Sequence, residues 1–162
     1  MRMREVKLES TLYVYDDLNE LPDSVVELMQ EAIKARENAY APYSKFSVGA
    51  ALRLENNEIV IGNNQENASY PSGLCAERTA IYYAGAKYPK QKIVTLAITA
   101  SSNIKETSEP IPPCGACRQA IAEYEVKQES PIEIYFMGKK GKVVKSNSLA
   151  NILPLVFDKS SL

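Results

Sequence analysis

The residues of this chain best suited to chemistry are three cysteines and one glutamate, carried by two short motifs. The motifs are Cys-Ala-Glu-Arg at 75–78 and Pro-Cys-Gly-Ala-Cys-Arg-Gln at 113–119. Cys114 and Cys117 are three residues apart in the first turn of a predicted helix, so they face the same side and can bind one ion. Cys75, at the start of another predicted helix, can supply a third thiolate. Zinc with three protein ligands keeps a fourth position for water, which is typical of a catalytic site.

Glu77 follows the first cysteine by two residues and can reach a metal-bound water without being a ligand. A carboxylate there can accept a proton from water and deliver it to a substrate, as a general base and then a general acid. Three thiolates make such a site anionic, which opposes deprotonation of the water. We expect the two helix N-termini, with hydrogen bonds from Arg78 and Arg118 to sulfur, to offset that charge.

Other interpretations of the cysteines remain open. The chain has 162 residues, three cysteines and no histidine. Histidine catalysis and histidine ligation are therefore excluded, and an odd cysteine count without an export signal argues against a disulfide framework. A Cys-x-x-Cys pair alone is also compatible with a redox pair or with two buried thiols. A structural zinc site completed by an aspartate or glutamate is a further alternative, and it would suit a zinc-stabilised binding protein without turnover.

Composition and net charge indicate which kinds of molecule the protein binds. The chain is 45% hydrophobic and 24% charged, with a net charge of −1, so it lacks the basic excess of a nucleic-acid-binding protein. No apolar run approaches the roughly 18–20 residues of a membrane helix, and the N-terminus has no signal-peptide core. We expect a cytoplasmic protein that binds a small molecule rather than nucleic acid or a membrane.

Hydrophobic periodicity and turn residues predict the elements that position the motifs. We expect helices at 22–40, 75–87 and 115–125, strands at 47–54, 58–63, 92–100, 131–137 and 142–145, and a short helical or irregular segment at 149–157. This alternation predicts an α/β fold, a three-layer α-β-α sandwich with a mixed sheet of about five strands. Residues 4–15 could add a further strand or arm.

The motifs and three further blocks resemble the homotetrameric, three-cysteine cytidine deaminase family. The blocks are Ala-Tyr-Ala-Pro-Tyr-Ser-Lys-Phe-Ser-Val-Gly-Ala-Ala at 39–51, Asn-Gln-Glu-Asn-Ala-Ser-Tyr at 64–70 and Leu-Pro-Leu-Val-Phe at 153–157, in the family's order. The resemblance implies hydrolytic deamination of cytidine and deoxycytidine with Zn²⁺ as cofactor. It also implies a homotetramer with a deaminase domain at 23–162, preceded by an N-terminal extension at 1–22.

The same resemblance assigns roles to individual residues. It implies that Cys75, Cys114 and Cys117 bind zinc and that Glu77 transfers protons. The residues that would contact substrate are Phe46 against the pyrimidine, Asn64 and Glu66 on the ribose 3′-hydroxyl, the backbone N–H of Ala76 on the base carbonyl, Phe157 of a neighbouring subunit stacked on the base, and Tyr70 at the subunit boundary. From the residues alone, composition favours a solvated turn at 64–66 over a ribose-binding segment, and phenylalanines such as Phe46 and Phe157 are more often core residues than ligand contacts.

Two rivals share the zinc core. A deaminase of a related cytosine nucleoside such as blasticidin S is the nearer one, although Asn64, Glu66 and the block at 153–157 favour an ordinary nucleoside. Action on polynucleotides is disfavoured by the net charge.

Overall fold

A mixed sheet of six strands organises the chain, of which the computed structural model describes residues 3–162. The strands are β1 (Tyr13–Tyr15), β2 (Phe46–Leu54), β3 (Ile59–Asn63), β4 (Ile93–Ser102), β5 (Glu133–Met137) and β6 (Val143–Ser146). They lie in the order β1-β6-β5-β4-β2-β3, with β4 and β5 parallel and all other neighbours antiparallel. The α-helices within the described range are α1 (Asp23–Glu37), α2 (Ala76–Lys87) and α3 (Gly115–Gln128).

Helices cover both faces of the sheet, which confirms the predicted three-layer α-β-α sandwich. Successive strand residues point to opposite faces, so Ala50 joins the apolar cluster under α2 and α3 while Ala51 joins the cluster under α1. In β5, Phe136 likewise joins the cluster under α2 and α3, and Tyr135 joins the cluster under α1. Because β2, β4 and β5 are covered on both faces, their sequences are nearly continuous apolar runs.

The sheet has six strands rather than the expected five or so, because β1 pairs antiparallel with the edge strand β6. Val14 stands opposite Val144 in this pairing, and Tyr15 packs against the cluster under α1. β1 lies in the predicted extension at 1–22, whose residues 1 and 2 are outside the described residues. A three-residue strand with two exposed side chains carries little periodic signal, so the sequence alone does not define its bounds.

The five predicted strands lie within one or two residues of their observed bounds, and two helix ends differ. α1 ends at Glu37, three residues before the predicted end at 40. α3 runs on to Gln128 and is closed by Glu129 in the left-handed region at φ 54°. In the part of the chain described, none of the helices has the length and apolar composition that crossing a bilayer requires.

Candidate metal centre

The N-termini of α2 and α3 bring the three cysteines together. Cys75 is the N-cap residue of α2 and Cys114 that of α3, both with extended backbone, and Cys117 lies in the first turn of α3. Their sulfur atoms all lie within 4.8 Å of one another, and the Sγ atoms of Cys75 and Cys114 are 3.9 Å apart. Two sulfurs on one tetrahedral zinc, each about 2.3 Å from it, are about 3.8 Å apart. The donor set therefore fits a zinc-sized ion.

Their surroundings shift the pKa values of the Cys75 and Cys117 thiols in opposite directions. A hydrogen bond from the Cys117 thiol, followed by one from Arg78, lowers the pKa of Cys75 to about 5. The Nη2 of Arg78 lies 3.7 Å from that sulfur. The hydrogen bond to Cys75, together with burial, raises the pKa of Cys117 well above its ordinary value. These surroundings favour the thiolate form at Cys75 and the thiol form at Cys117, and a metal ion would displace the thiol protons of its ligands.

Glu77 is buried beside the cluster with an unused oxygen. Its side chain is 4% exposed, and Oε2 accepts no hydrogen bond. Burial is the largest cause that raises the pKa of this carboxyl, and the neighbouring Cys75 charge adds to it. An unpartnered buried carboxylate oxygen is costly and rare in folded proteins. We therefore take the oxygen as a functional group that awaits a partner.

A cavity of about 740 Å³ adjoins the cysteines. Glu77, Cys75 and Cys114 line it together with four of the residues expected to contact substrate, namely Phe46, Asn64, Glu66 and Tyr70. The ring of Tyr70 makes an edge contact with the ring of Tyr43, with centroids 6.1 Å apart. The structure therefore brings into one cavity residues that lie up to 71 positions apart in the chain, from Tyr43 to Cys114.

The segment that carries Asn64 and Glu66 continues β3 in extended form rather than forming a free turn. The N–H of Glu66 donates to the Tyr40 carbonyl at 2.9 Å, and Gln65 exchanges two 2.9 Å hydrogen bonds with Leu74. This backbone pairing fixes the direction in which the side chains at 64 and 66 point.

Strand β2 and the loop before it hold these two side chains. Asn64 Oδ1 accepts from the Val48 N–H at 2.8 Å, and its Nδ2 donates to the Phe46 carbonyl at 2.9 Å. Glu66 Oε2 accepts from the N–H groups of Tyr43 and Ser44 at 2.9 and 3.3 Å. Tyr43 and Ser44 thus hold the Glu66 side chain in place, although the sequence alone singles out neither residue. The Pro-Tyr-Ser turn before the strand was the available signal.

Four expected site residues lie apart from the cavity lining, and one of them is Cys117, which is buried within the cysteine cluster. Ala76 is fully buried as the first residue of α2, where its N–H has no partner within the helix. Phe157 is 61% exposed, and its carbonyl accepts from Gln119 Nε2 at 2.7 Å. Arg118 corrects our expectation, because it does not donate to sulfur. Its Nε and Nη1 each donate at 2.9 Å to carbonyl oxygens, those of Pro113 and Ile152, so its donors hold the loop before Cys114 instead.

Known proteins resemble this chain in both sequence and fold. The family model for the cytidine and deoxycytidylate deaminase zinc-binding region matches residues 23–130. A cytidine deaminase of Sporosarcina psychrophila is 41% identical over 138 residues, which are 85% of this chain and 94% of that protein. A blasticidin-S deaminase of Bacillus cereus is 28% identical over 119 residues, which are 72% and 81% of the two chains.

The crystal structure of a cytidine deaminase from Burkholderia pseudomallei superposes with a TM-score of 0.69 at 39% identity. The match covers 81% of this chain and 97% of that one. The family model covers most of the chain, and one relative is 41% identical over 94% of its own length. A shared fold alone does not require such sequence similarity. This chain belongs to the cytidine and deoxycytidylate deaminase family.

Proposed function

We propose that the protein is a zinc-dependent enzyme that hydrolyses cytidine and deoxycytidine to uridine and deoxyuridine with release of ammonia. One observation carries the proposal. Three sulfurs within 4.8 Å of one another lie beside a buried carboxylate oxygen without a partner, and this group adjoins a cavity of about 740 Å³. Release of uridine from free cytidine would serve pyrimidine salvage in the cytoplasm.

Cys75, Cys114 and Cys117 would hold the ion as thiolates. A zinc ion there supplies Lewis-acid activation of a water molecule. Because three thiolates oppose that activation, the chain must supply compensating positive potential. It does so with the N-termini of α2 and α3 and with the Arg78 guanidinium 3.7 Å from the Cys75 sulfur.

Glu77 is the proton carrier of the proposed reaction. Its free Oε2 accepts a proton from the attacking water and gives it to ring nitrogen 3 of the base. It then carries the second water proton to the amino group, so that water and cytidine give uridine and ammonia. Burial raises the pKa of Glu77, which favours return of the accepted proton to the substrate.

The remaining hydrogen-bonding capacity of the cavity suits a nucleoside. Asn64 uses one acceptor and one donor on strand β2 and keeps one of each for a ligand hydroxyl. Glu66 engages Oε2 with backbone N–H groups, which leaves Oε1 for the ribose. The Ala76 N–H at the start of α2 would bind the base carbonyl, and Phe46 would pack on the ring.

A homotetramer completes the proposal. Phe157 and Leu155 belong to the C-terminal segment and are 61% and 81% exposed, which is costly for large apolar groups unless another subunit covers them. Tyr70 lines the cavity and is 76% exposed. We infer that Phe157 of one subunit stacks on the base bound by its neighbour, at a boundary that includes Tyr70.

The test is the Glu77→Gln substitution, assayed by the absorbance change of cytidine deamination. We expect turnover to fall by roughly 10²–10⁴-fold, the usual loss for a general acid–base, while zinc content stays at that of the wild type. Glu123→Gln removes an exposed carboxylate from α3 and serves as the matched control with normal turnover. Near-normal activity of zinc-loaded Glu77→Gln protein would refute the assigned role.

Blasticidin S is the second candidate substrate, because a blasticidin-S deaminase matches 72% of the chain. The higher identity and coverage of the cytidine deaminase relative favour cytidine. Ammonia release from the two compounds, each measured with and without a chelator, separates the candidates. If neither compound releases ammonia, with or without the chelator, the result would instead support a zinc-stabilised binding protein.

A further inference from the structure

A second cavity, of about 350 Å³, lies between the segment that follows β4 and the turn between β5 and β6. Residues 102–107 line one side of it, and Lys139 and Lys140 line the other. None of these residues belongs to the proposed nucleoside cavity.

The lining carries an excess of positive charge. It includes three lysines and one glutamate, a net charge of +2. Lys140 is neutralised by Glu106, since its Nζ lies 2.7 Å from Oε1. Neither Lys105 nor Lys139 has a carboxylate within 4.0 Å among residues 3–162. Two ammonium groups therefore remain without a fixed counter-ion at one cavity.

Thr107 adds a buried donor to this lining. The residue is 4% exposed, and its hydroxyl has no hydrogen-bond partner, one of only three such side-chain atoms in the described range. The other two belong to Glu77 and Arg78 of the candidate metal centre. An orphaned buried hydroxyl is destabilising unless a ligand or water satisfies it, and Thr107 is one of the residues that line the cavity. The hydroxyl of Ser102 accepts from two backbone N–H groups and keeps its own proton to donate.

Two glycines show that the cavity is built into the fold. A Cβ on Gly138 would collide with the carbonyl oxygen of Thr107 and lie 2.7 Å from that of Glu109. Gly141 has φ +89°, and a Cβ there would lie 3.0 Å from the Ser108 carbonyl oxygen. The segment at 107–109 therefore rests directly on the backbone of the β5–β6 turn, where the Lys139 N–H donates to the Thr107 carbonyl at 2.6 Å.

We propose that this cavity binds a phosphoryl anion, either inorganic phosphate or the phosphate of a small monoester. A phosphoryl group offers only acceptors and negative charge, which match two unpaired ammonium groups and two available hydroxyl protons. A third cavity of about 340 Å³ provides the comparison. It is lined by Lys90, Lys92, Lys127 and Glu129, also a net charge of +2, but by no buried unpartnered side-chain atom.

Calorimetric titration with inorganic phosphate, at constant ionic strength in a non-phosphate buffer, tests the proposal on the metal-loaded protein. We expect saturable binding that weakens at least about tenfold in Lys105→Gln/Lys139→Gln, because charge-assisted hydrogen bonds are lost. Thr107→Val should weaken it about fivefold, the effect of one neutral hydrogen bond, and Thr107→Ser should restore it. Lys90→Gln/Lys92→Gln removes the same charge from the comparison cavity and should bind normally.

Melting curves verify that each variant is folded, and this binding test does not depend on the proposed deamination. Non-saturable heats, unchanged affinity in Lys105→Gln/Lys139→Gln, or equal weakening in Lys90→Gln/Lys92→Gln would each overturn the proposal. A parallel titration with a pentose 5-phosphate distinguishes the sources. Tighter binding of the ester identifies a phosphorylated small molecule, and equal or weaker binding identifies the free ion.

Discussion

Replacing Gly62 with alanine is expected to inactivate the enzyme although residue 62 contacts no substrate. Gly62 lies in β3, directly under the first turn of α2. A Cβ at this position would lie 2.5 Å from the carbonyl oxygen of Ala76, 2.6 Å from the amide nitrogen of Ala80 and 3.0 Å from the Ala80 Cβ. All three atoms belong to backbone or to a Cβ, so no side-chain rotation relieves the contact.

The size of the shift follows from these distances. Ordinary van der Waals contact begins at 3.4 Å, so the Ala76 carbonyl must recede from 2.5 Å by about 0.9 Å. Ala76 lies between Cys75 and Glu77, and a displaced helix start carries both away from α3. Misplacement of catalytic groups by about 1 Å typically costs 10²-fold in rate. Overpacking adds roughly 1–3 kcal/mol of destabilisation.

We therefore expect Gly62→Ala to lower kcat/KM for cytidine about 10²-fold and the melting temperature by several degrees, about 2–4 °C for each kcal/mol. Gly85→Ala is the matched control on the same helix. Its Cβ meets only the end of the Tyr124 side chain, which can move, and alanine favours the helix. If zinc-loaded, folded Gly62→Ala kept activity within twofold of the wild type, the claim that this contact positions α2 would be wrong.

Three further predictions concern other parts of the site. Cys117→Ser should lose zinc and activity together, measured by metal analysis beside the deamination assay; full zinc occupancy would remove Cys117 from the ligand set. The Ser44 hydroxyl and nearby backbone N–H groups hold the pKa of Glu66 below its usual range. Ionised Glu66 therefore stabilises the fold above the pKa of the unfolded chain, and this is lost as pH falls through the folded pKa. Glu66→Gln should melt below the wild type near neutral pH, with the gap closing below about pH 4; a pH-independent gap would contradict this. Phe157→Ala subunits refolded with Glu77→Gln subunits should regain activity, since a site with intact Glu77 receives Phe157 from its neighbour; no regain would refute the shared site.

Much of the fold and the cysteine cluster could be predicted because local sequence encodes them. Strands β2, β4 and β5 are nearly continuous apolar runs, and the Cys-x-x-Cys spacing places two sulfurs on one side of α3 independently of the rest of the chain. Convergence of Cys75 on that pair depends on two helices packing on one sheet face. In the sequence, only two features indicate this convergence: the two motifs contain all three cysteines, and the chain has no histidine.

The rest could not be read from local patterns, since it depends on hydrogen bonds between distant segments. Arg118 follows a ligand cysteine directly, yet its donors reach Ile152, 34 residues away. Tyr43 and Ser44 fix Glu66 through backbone N–H groups, which any residue type except proline provides, so residue identity carries no signal. Strand β1 is specified by the free edge of β6 rather than by its own three residues.

The burial of Glu77 explains why the fold tolerates a group that destabilises it. A carboxyl that is 4% exposed and has an oxygen without a partner lowers the stability of the metal-free protein. The close approach of α2 to β3 over Gly62 fixes the position of Ala76, which lies between the expected ligand Cys75 and Glu77. One contact therefore positions both a metal ligand and the proposed proton carrier. A change that relaxes the contact should impair metal binding and proton transfer together, which no substitution of Glu77 alone can do.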